Sequence, residues 1–349
     1  MVIPMKAAVL KKPRDRFYIE DIETPKPTGH EILVRVRAAG MCHSDIHIWE
    51  GHFGPIRVEE RGVRFPLVMG HEIAGEVAEI GDQVRGLQKG DSVVIYPWIG
   101  DGVCKKCLVG DENLCVRGTA PLGILRPGGY AEYVLVPHWR YAVKIGKAYL
   151  DKIAPAACGG ITAYNAVRKA SLEPGDHVMI LGVGGLGHLA IQMARKIYGA
   201  SVIAVDIREE ALRLAEKLGA EYLINPSKAK IDEEVMKITG GLGVDAAIDF
   251  VGTAATFSDA LRSLKRGGRL VIVGLMGEYA TLTLPLLPMR SIEIRGAYVG
   301  GLRDLYDVAR LVEKQIISIE TSTYPLEEIN DVFERFRKGL ITGRAIITP

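Results

Sequence analysis

A chain of 349 residues is longer than one hydrophobic core usually holds, so two domains are expected. Its 48% hydrophobic and 25% charged residues are typical of a soluble globular protein, and a formal net charge of +2 gives no basis for binding nucleic acid or a membrane surface. The segment Met1–Leu10 lacks the apolar run of a signal peptide, and no later segment approaches the length of a membrane span. A cytoplasmic location is therefore expected.

The five cysteines fall in three places along the chain: Cys42, a cluster of three between positions 104 and 115, and Cys158. An odd number of cysteines suits metal ligation in a reducing compartment better than a disulfide framework. The chain also has only four asparagines and four glutamines. Because these amides are thermolabile, their scarcity indicates a thermophilic source.

The first part of the chain predicts short strands separated by turn clusters. Ile32–Arg37, Ile73–Ile80 and Ser92–Tyr96 are rich in β-branched residues, and Pro25–Gly29 and Gly86–Asp91 are typical of turns. Several short strands at this spacing favour a partly closed antiparallel β-barrel.

His71 stands out together with Cys42 and Cys158, because one imidazole and two thiols form the protein ligand set of an open tetrahedral zinc site. Glu72 follows His71 directly and Asp45 lies three residues after Cys42, so each ligand has a carboxylate nearby that could orient it. The alternative is that His71 is an ordinary core histidine and both cysteines are small buried hydrophobes.

The pattern Gly70-His71-Glu72-x2-Gly75-x5-Gly81-x2-Val84 resembles the signature of zinc-dependent alcohol dehydrogenases of the medium-chain dehydrogenase/reductase superfamily. The resemblance implies an α/β protein with a GroES-like, partly closed β-barrel catalytic domain and a Rossmann cofactor domain with a doubly wound parallel sheet. The expected boundaries are 1–155 with 298–349 for the catalytic domain, 97–118 for a structural-zinc lobe within it, and 156–297 for the NAD-binding domain.

The resemblance also implies a proton relay after the first ligand. Ser44 occupies the position of a hydroxyl residue that takes the alcohol's proton, and His47 that of a histidine that passes the proton to solvent. His43 occupies a position that approaches the cofactor pyrophosphate. The alternative is a surface loop that happens to be rich in serine and histidine.

In the resembling enzymes, the segment after Pro97 holds a structural zinc ion with four cysteines. The matching positions here are Asp101, Cys104, Cys107 and Cys115, and the first is therefore a carboxylate. Since a carboxylate oxygen is a legitimate zinc ligand, these four residues can still form a closed site. A Cys104–Cys115 disulfide and an empty lobe are the alternatives.

Three large apolar residues are candidates for the substrate pocket: Trp49, Trp98 and Ile124. The family places such residues at the positions of Trp98 and Ile124, which favours apolar or aromatic alcohols; ordinary packing is the alternative. Related polyol and threonine dehydrogenases tend to have a glutamate as third ligand, so Cys158 favours simple alcohols.

The second half of the chain predicts alternating strands and helices. His177–Leu181 is a predicted buried strand, the helix that follows has an apolar face, and Ser201–Asp206 is a strand that ends in an acid. Between the first strand and the helix lies a glycine-rich turn that fits the Rossmann fingerprint, formed by Gly182, Val183, Gly184, Gly185, Leu186 and Gly187. Its backbone amides are expected to approach a pyrophosphate.

The predicted acid Asp206 should accept hydrogen bonds from the adenosine ribose, which favours NAD over NADP. Ile207 and Arg208 follow it, and the guanidinium of Arg208 could stack on adenine or hold a phosphate. Loops after later strands should meet the cofactor at the carboxyl edge of the sheet, near Val251, Gly274 and Leu275. The alternative is an α/β domain without a cofactor.

The last part of the chain is expected to close both domains. The strand Ile292–Ala297 ends the cofactor domain, and in the resembling family this edge pairs with its mate in another subunit, which implies a homo-oligomer, either a dimer or a tetramer. Leu302–Pro349 should complete the catalytic domain. Arg344 matches a family arginine that reaches the pyrophosphate.

Together these features predict an enzyme that uses zinc and NAD to oxidise primary or secondary alcohols reversibly to aldehydes or ketones. Three alternatives stay open: a polyol dehydrogenase, an NADP-dependent aldehyde reductase of the same superfamily, and a relative that binds NAD and zinc without turnover. Cys158 as third ligand and Asp206 as ribose acid favour the NAD-dependent alcohol dehydrogenase.

Overall fold

The computed structural model describes residues 4–277 and 279–349. The chain forms two compact units: Met1–Ile161 together with Gly300–Pro349, and Thr162–Val299. The domain boundaries expected after residues 155 and 297 lie close to these divisions, and the extents of the functional domains stay a prediction.

The first unit is built mainly of strands, in sequence order β1 Pro4–Leu10, β2 Phe17–Glu23, β3 Ile32–Gly40, β4 His52–Phe53, β5 Ile56–Arg57, β6 Leu67–Val68, β7 Glu72–Ile80, β8 Ser92–Ile95, β9 Tyr133–Val136 and β10 Ala142–Lys144, with β17 Thr321–Pro325 and β18 Arg344–Thr348 from the C-terminal segment. Its helices are α1 His43–Glu50, α2 Lys105–Leu108, α3 Leu150–Ile153, α10 Leu302–Glu313 and α11 Ile329–Arg337, and α4 Gly159–Ala170 crosses the division between the units. Short 3₁₀ turns cover Glu59–Arg61, Glu112–Leu114, Trp139–Tyr141, Lys147–Tyr149, Ala154–Ala157 and Leu326–Glu328.

Strand β3 is the centre of the first unit's main sheet. The order of the sheet is β10-β8-β7-β3-β18-β17, and β9 also pairs with β3. Its pairings with β7, β9 and β18 are all antiparallel, as expected for a barrel of short strands. Because β18 lies beside β3, the C-terminal segment is part of the same sheet as the strand that leads to Cys42.

Two positions of the zinc signature require glycine for steric reasons. Gly70 has φ +90°, and a Cβ there would lie 2.6 Å from the ring of Tyr130. A Cβ at Gly75 would lie 2.1 Å from the carbonyl oxygen of Arg35 on the neighbouring strand. A larger residue at either position would force apart the backbone that carries His71.

The second unit alternates strands with helices: β11 His177–Leu181, α5 Gly187–Tyr198, β12 Ser201–Val205, α6 Glu209–Lys217, β13 Tyr222–Ile224, α7 Ile231–Ile238, β14 Val244–Asp249, α8 Ala254–Ser263, β15 Leu264–Ile272, α9 Leu286–Arg290 and β16 Glu293–Gly296. The strand order is β13-β12-β11-β14-β15-β16, and every pairing is parallel. This is the order of a Rossmann sheet, whose direction of growth reverses between β11 and β14.

The core of the second unit explains why its sequence reads as continuous apolar runs. Buried side chains of five of its strands pack with those of α7 and α8, among them Met179, Ile203, Val235, Ala247, Leu261 and Leu270. Parallel strands covered by helices have no solvent-facing side and therefore carry no alternation of apolar and polar residues.

Some elements differ from the sequence-based expectation. The sequence pattern also predicts a helix from Ala254 to Lys265 and a strand from Leu270 to Gly274; in the structure the helix ends at Ser263, and the strand runs from Leu264 to Ile272. The sequence does not predict helix α1 or strand β17. In His43–Glu50 and Thr321–Pro325 the apolar residues follow neither the repeat of a helix nor the alternation of a strand clearly. No helix in the described part of the chain is long and apolar enough to span a membrane.

Candidate active site

Four buried side chains meet in the first unit and form what we call the inner cluster: Cys42, His71, Glu72 and Cys158. Their ligand atoms all lie within 4.8 Å of one another, and the Sγ atoms of Cys42 and Cys158 are 3.8 Å apart. Two thiolates bound to one tetrahedral zinc ion at 2.3 Å would be separated by about 3.8 Å. The geometry of the two thiols therefore fits a zinc ion.

Each ligand lies where an element begins or ends. Cys42 is the N-cap of α1, His71 immediately precedes β7, and Cys158 follows the 3₁₀ turn Ala154–Ala157. The direction of a side chain at such a junction is not fixed by the repeat of a strand or helix. Side chains from three distant parts of the chain can therefore meet at one position.

The imidazole of His71 is oriented for a metal. Nδ1 lies 3.4 Å from Oδ1 of Asp45, an ion-pair contact rather than a hydrogen bond, and Nε2 is buried without a hydrogen-bond partner among the described residues. The other oxygen of Asp45 accepts hydrogen bonds from the hydroxyl of Tyr130 and the backbone N–H of Cys42, both at 2.9 Å. Asp45 thus fixes the ring while Nε2 stays available to a cation.

The two thiols of the inner cluster cannot both ionise without a cation. Two negative charges at this separation repel by about 4 kcal/mol at an effective dielectric constant of about 20. A hydrogen bond from the Cys158 thiol holds the pKa of Cys42 well below its usual range, and the same bond together with burial raises the pKa of Cys158. A divalent cation removes this conflict by neutralising both thiolates.

The other charges of the inner cluster are also compensated. Burial acts to lower the pKa of His71, but the Asp45 carboxylate and the Cys42 thiolate outweigh it and raise the pKa. Burial raises the pKa of Glu72 to about 7, against the opposing effect of the Arg344 guanidinium. Arg344 donates a hydrogen bond to Oε1 of Glu72, and the backbone N–H of Gly159 donates to the same oxygen at 3.2 Å.

Arg344 is only 2% exposed, and its observed polar partner is the carboxylate of Glu72. The sequence led us to expect a contact with the cofactor pyrophosphate instead. The ion pair links β18 to β7, and the pyrophosphate contact of Arg344 stays a prediction.

A second cluster, the lobe cluster, brings together Asp101, Cys104, Cys107 and Cys115, whose ligand atoms also lie within 4.8 Å of one another. Sγ of Cys104 is 3.6 Å from that of Cys107 and 4.0 Å from that of Cys115. These separations bracket the edge of a zinc–thiolate tetrahedron. They also far exceed the bond length of a disulfide, and all three thiols are free.

Asp101 is held as an ionised ligand candidate. Its Oδ1 accepts hydrogen bonds from the backbone N–H groups of Val103 and Cys104, at 3.0 and 2.9 Å, and these bonds lower its pKa. Oδ2 is buried and accepts no hydrogen bond within the described ranges, with the guanidinium of Arg117 3.7 Å away. Burial raises the pKa of Cys107 to about 12, so metal binding there must release a proton.

The expected relay residues share the first turns of α1. Oγ of Ser44 lies 4.0 Å from Sγ of Cys42, and His47 follows three residues later on the same helix face. The half-buried ring of His47 contacts the exposed ring of His43, with centroids 5.1 Å apart. Burial, and then the charge of His43, lower the pKa of His47.

The three pocket candidates differ in their surroundings. The ring of Trp98 lies against that of His71, with centroids 5.9 Å apart, and Ile124 is buried. Trp49 packs against Phe333, and its indole N–H donates to the carbonyl oxygen of Asp15 at 2.6 Å. None of these partners of Trp49 belongs to the inner cluster, and its place in the substrate pocket stays a prediction.

In the second unit, the glycine-rich turn has the geometry that a dinucleotide requires. Gly182 has φ +88°, and a Cβ at Gly187 would lie 2.0 Å from the carbonyl oxygen of Gly182, whereas a Cβ at Gly184 would meet no atom within 4 Å. Gly182 and Gly187 are therefore required by the turn itself. The open space at Gly184 allows a ligand to approach the backbone.

Asp206 completes this turn. Its Oδ2 accepts a hydrogen bond from the backbone N–H of Val183 at 2.8 Å, and its Oδ1 accepts from both the backbone and the side chain of Arg208, at 2.9 and 3.3 Å. Ile207 is 67% exposed beside them. The loops carrying Val251, Gly274 and Leu275 follow β14 and β15 at the carboxyl edge of the sheet, and Gly185 and Leu186 complete the turn before α5.

Sequence reasoning missed Tyr130, whose hydroxyl fixes Asp45 and thereby His71. A lone tyrosine in an apolar segment gives no signal for this role. It also missed the ion pair between Arg140 and the fully buried Glu112, which joins the lobe segment to the chain that follows it.

The comparisons with known proteins agree with both units. Residues 28–147 match the family model of the alcohol dehydrogenase GroES-like domain, and residues 185–314 match that of zinc-binding dehydrogenases. The NAD-dependent alcohol dehydrogenase of Sulfurisphaera tokodaii is 42% identical over 334 residues, which cover 95% of this chain and 96% of that protein.

Solved structures show the same likeness. The alcohol dehydrogenase of the hyperthermophilic archaeon Aeropyrum pernix matches with a TM-score of 0.91 and 38% identity, covering 99% of this chain and 100% of that one. A cobalt- and zinc-bound thermostable alcohol dehydrogenase from Pyrobaculum aerophilum matches with a TM-score of 0.86 and 31% identity over 99% and 100% of the two chains.

A dinucleotide fold and a buried Cys₂His cluster in one chain define a metal-dependent dehydrogenase. Within that class, the chain belongs to the zinc-dependent alcohol dehydrogenases with a GroES-like domain, as its signature had indicated.

We expect Asp101→Ala to lower the zinc content of the purified protein from two ions per chain to one, because three thiols leave the lobe cluster without its fourth ligand. The matched control is Asp111→Ala, since Asp111 lies in the same segment but pairs with Lys106 and Arg303. Elemental analysis measures both. Two zinc ions in the Asp101→Ala protein would contradict the assignment.

Proposed function

We propose that this protein oxidises primary and secondary alcohols to aldehydes or ketones, reversibly, with zinc and NAD. The observation that carries the proposal is the inner cluster, whose two thiols are spaced for one zinc ion and whose His71 Nε2 is buried without a partner in the described residues. The 42% identical relative from Sulfurisphaera tokodaii is an NAD-dependent alcohol dehydrogenase.

Cys42, His71 and Cys158 would hold the catalytic zinc ion, and the glycine-rich turn with Asp206 would hold NAD. When bound, zinc supplies a Lewis acid for the alcohol oxygen and NAD supplies the acceptor for the hydride of the carbinol carbon. The overall reaction converts an alcohol and NAD⁺ into a carbonyl compound, NADH and one proton. The protein's own residues orient the ligands and move that proton.

Asp45 and Tyr130 keep the imidazole of His71 in one orientation. Loss of such an outer partner typically costs about 10- to 100-fold in metal affinity or activity. Glu72 adds a carboxylate beside the ligands, and its ion pair with Arg344 keeps it in place. This charge distribution balances the site around a divalent cation.

The proton leaves through helix α1. Ser44 takes it from the alcohol's hydroxyl, and His47 passes it to solvent. Because burial lowers the pKa of His47, its imidazole is neutral at pH 7 and able to accept a proton.

Trp98 and Ile124 give the pocket apolar walls, with Trp49 as a third candidate, which suits apolar or aromatic alcohols better than polyols. Asp206 favours NAD, since its carboxylate would repel a 2′-phosphate. The guanidinium of Arg208 already binds that carboxylate, which reduces its capacity to attract a phosphate.

We also propose a homo-oligomer, a dimer or tetramer, in the cytoplasm of a thermophile. Strand β16 is an edge strand, and the segment before it carries exposed apolar side chains: Leu275, Met276, Tyr279, Leu284 and Met289. An open edge beside an apolar patch supports association with a second copy.

The direct test mixes the purified protein with NAD or NADP and a panel of primary, secondary and benzylic alcohols and polyols, and follows the absorbance of the reduced nicotinamide. We expect turnover with NAD on simple or benzylic alcohols. Turnover on polyols alone, or with NADP alone, would favour the polyol dehydrogenase or aldehyde reductase, and no turnover on any pair would favour a binding protein.

His47→Ala should slow turnover most between about pH 6.5 and 8. In the wild-type protein the pKa of His47 lies below its ordinary 6.5, so the neutral base is present throughout this range and is lost only at lower pH. At higher pH hydroxide can take the proton directly. Rate–pH profiles with and without added imidazole measure this.

The control is His30→Ala, because His30 stacks on His138 away from α1. An unchanged profile for His47→Ala, or a loss that imidazole does not reduce, would rule out His47 as the relay.

A further inference from the structure

Asp249 ends β14 at the carboxyl edge of the second unit's sheet, next to the point between β11 and β14 where the strand order reverses. It is 0% exposed and forms no ion pair within residues 4–277 and 279–349. A buried carboxylate without a cation is costly unless several donors satisfy it. The donors of its hydrogen bonds therefore indicate which parts of the structure Asp249 positions.

The side chain of Asp249 holds the loop that follows its own strand. Oδ1 accepts hydrogen bonds from the backbone N–H groups of Val251 and Gly252, both at 2.9 Å. Oδ2 accepts from the hydroxyl of Thr256 in the first turn of α8, at 2.8 Å. The carboxylate thus fixes both the loop and the start of the helix after it.

The backbone of Asp249 holds the neighbouring loop. Its carbonyl oxygen accepts hydrogen bonds from the N–H groups of Val273 and Gly274, at 2.9 and 3.0 Å. One residue therefore connects the loop after β14 to the loop after β15, and these are the two loops in which Val251, Gly274 and Leu275 were expected to meet the cofactor.

The backbones of the two loops pass so close to each other that neither Gly252 nor Gly274 can carry a side chain. A Cβ at Gly252 would lie 2.1 Å from the carbonyl oxygen of Gly274, and a Cβ at Gly274 would lie 2.1 Å from the carbonyl carbon of Val251. On its other side, Val251 borders the glycine-rich turn, since a Cβ at Gly182 would lie 2.8 Å from its Cγ2. Val251 therefore lies between the Gly274 loop and the glycine-rich turn.

We propose that Asp249 is the positioning residue of the nicotinamide half of the cofactor site: it fixes the Val251–Gly252 loop against the Gly274 loop and so fixes the surface on which the nicotinamide ring binds. This inference rests on the proposed function. The adenosine half is expected on the other side of the strand-order reversal, at Asp206 after β12, whose carboxylate accepts from the backbone N–H of Val183. Removing the carboxylate should therefore weaken binding of the nicotinamide half alone.

The experiment compares two ligands, NADH and ADP-ribose, which lacks the nicotinamide, by titration calorimetry on the zinc-loaded protein. Asp249→Ala should bind NADH at least tenfold more weakly and ADP-ribose within twofold of the wild type. A merely structural role would weaken both ligands equally. The Michaelis constant for NAD should rise in parallel.

The matched control is Asp245→Ala, which removes a buried carboxylate from the opposite end of the same strand. Asp245 accepts from the backbone N–H of His177 at 2.9 Å and pairs with Lys265. It touches neither loop, so this variant should lose thermal stability and keep the affinities for both ligands.

Two milder variants keep the test decisive if Asp249→Ala does not fold. Asp249→Asn retains an oxygen that can accept from the two backbone N–H groups. Its affinity for NADH should lie within about threefold of that of the wild type. Thr256→Val removes the hydroxyl that donates to Oδ2 and also accepts from the backbone N–H of Thr253 at the start of α8. It should weaken NADH binding about threefold, with ADP-ribose unchanged.

NADH affinity that is unchanged in Asp249→Ala, or in both milder variants if that protein does not fold, would overturn the inference, as would an equal loss for the two ligands. These results are distinguishable from a failure of the proposed function, in which the wild-type protein itself would bind no NADH and both proposals would fall.

Discussion

The structure depends on the burial of two thiols and an imidazole around one point in the first unit. At 3.8 Å the thiols cannot both carry a charge, and the opposite pKa shifts of Cys42 and Cys158 express that conflict. Such a cluster is unfavourable in a core unless a cation binds there. A zinc ion held there would be both the catalytic agent and the counter-charge that makes this part of the fold favourable.

Much of the first unit serves to hold that point. Its three expected ligands lie at the N-cap of α1, immediately before β7 and after the 3₁₀ turn that precedes α4, and no two of them are close in sequence. The ion pair of Glu72 with Arg344 adds β18, so residues near the C-terminus stabilise a site built largely from the N-terminal part of the chain. The second unit follows the same principle with Asp206 and Asp249, two carboxylates that order loops through backbone N–H groups.

The sequence predicts the fold well because buried strands have local patterns, and it predicts which residues meet in the two clusters because the resemblance places them in a known ligand set. Runs such as His177–Leu181 mark buried strands, and His71 with Cys42 and Cys158 matches a known ligand chemistry. It predicts poorly what depends on tertiary contacts. Neither the hydroxyl of Tyr130 nor the partner of Arg344 has a local signal, and the packing of Trp49 on Phe333 was not foreseeable. The role of Asp249 in positioning its loop also has no local signal, because it depends on the hydrogen bond that its carboxylate accepts from Gly252.

The most direct test of the central claim measures zinc content and NADH formation on the same samples of wild type, Cys42→Ser and Cys104→Ser. Each variant removes one thiol from one cluster. If the inner cluster holds the catalytic metal, each variant loses one zinc ion per chain, but only Cys42→Ser loses turnover. Full turnover by a Cys42→Ser protein that has lost this zinc ion would contradict the account.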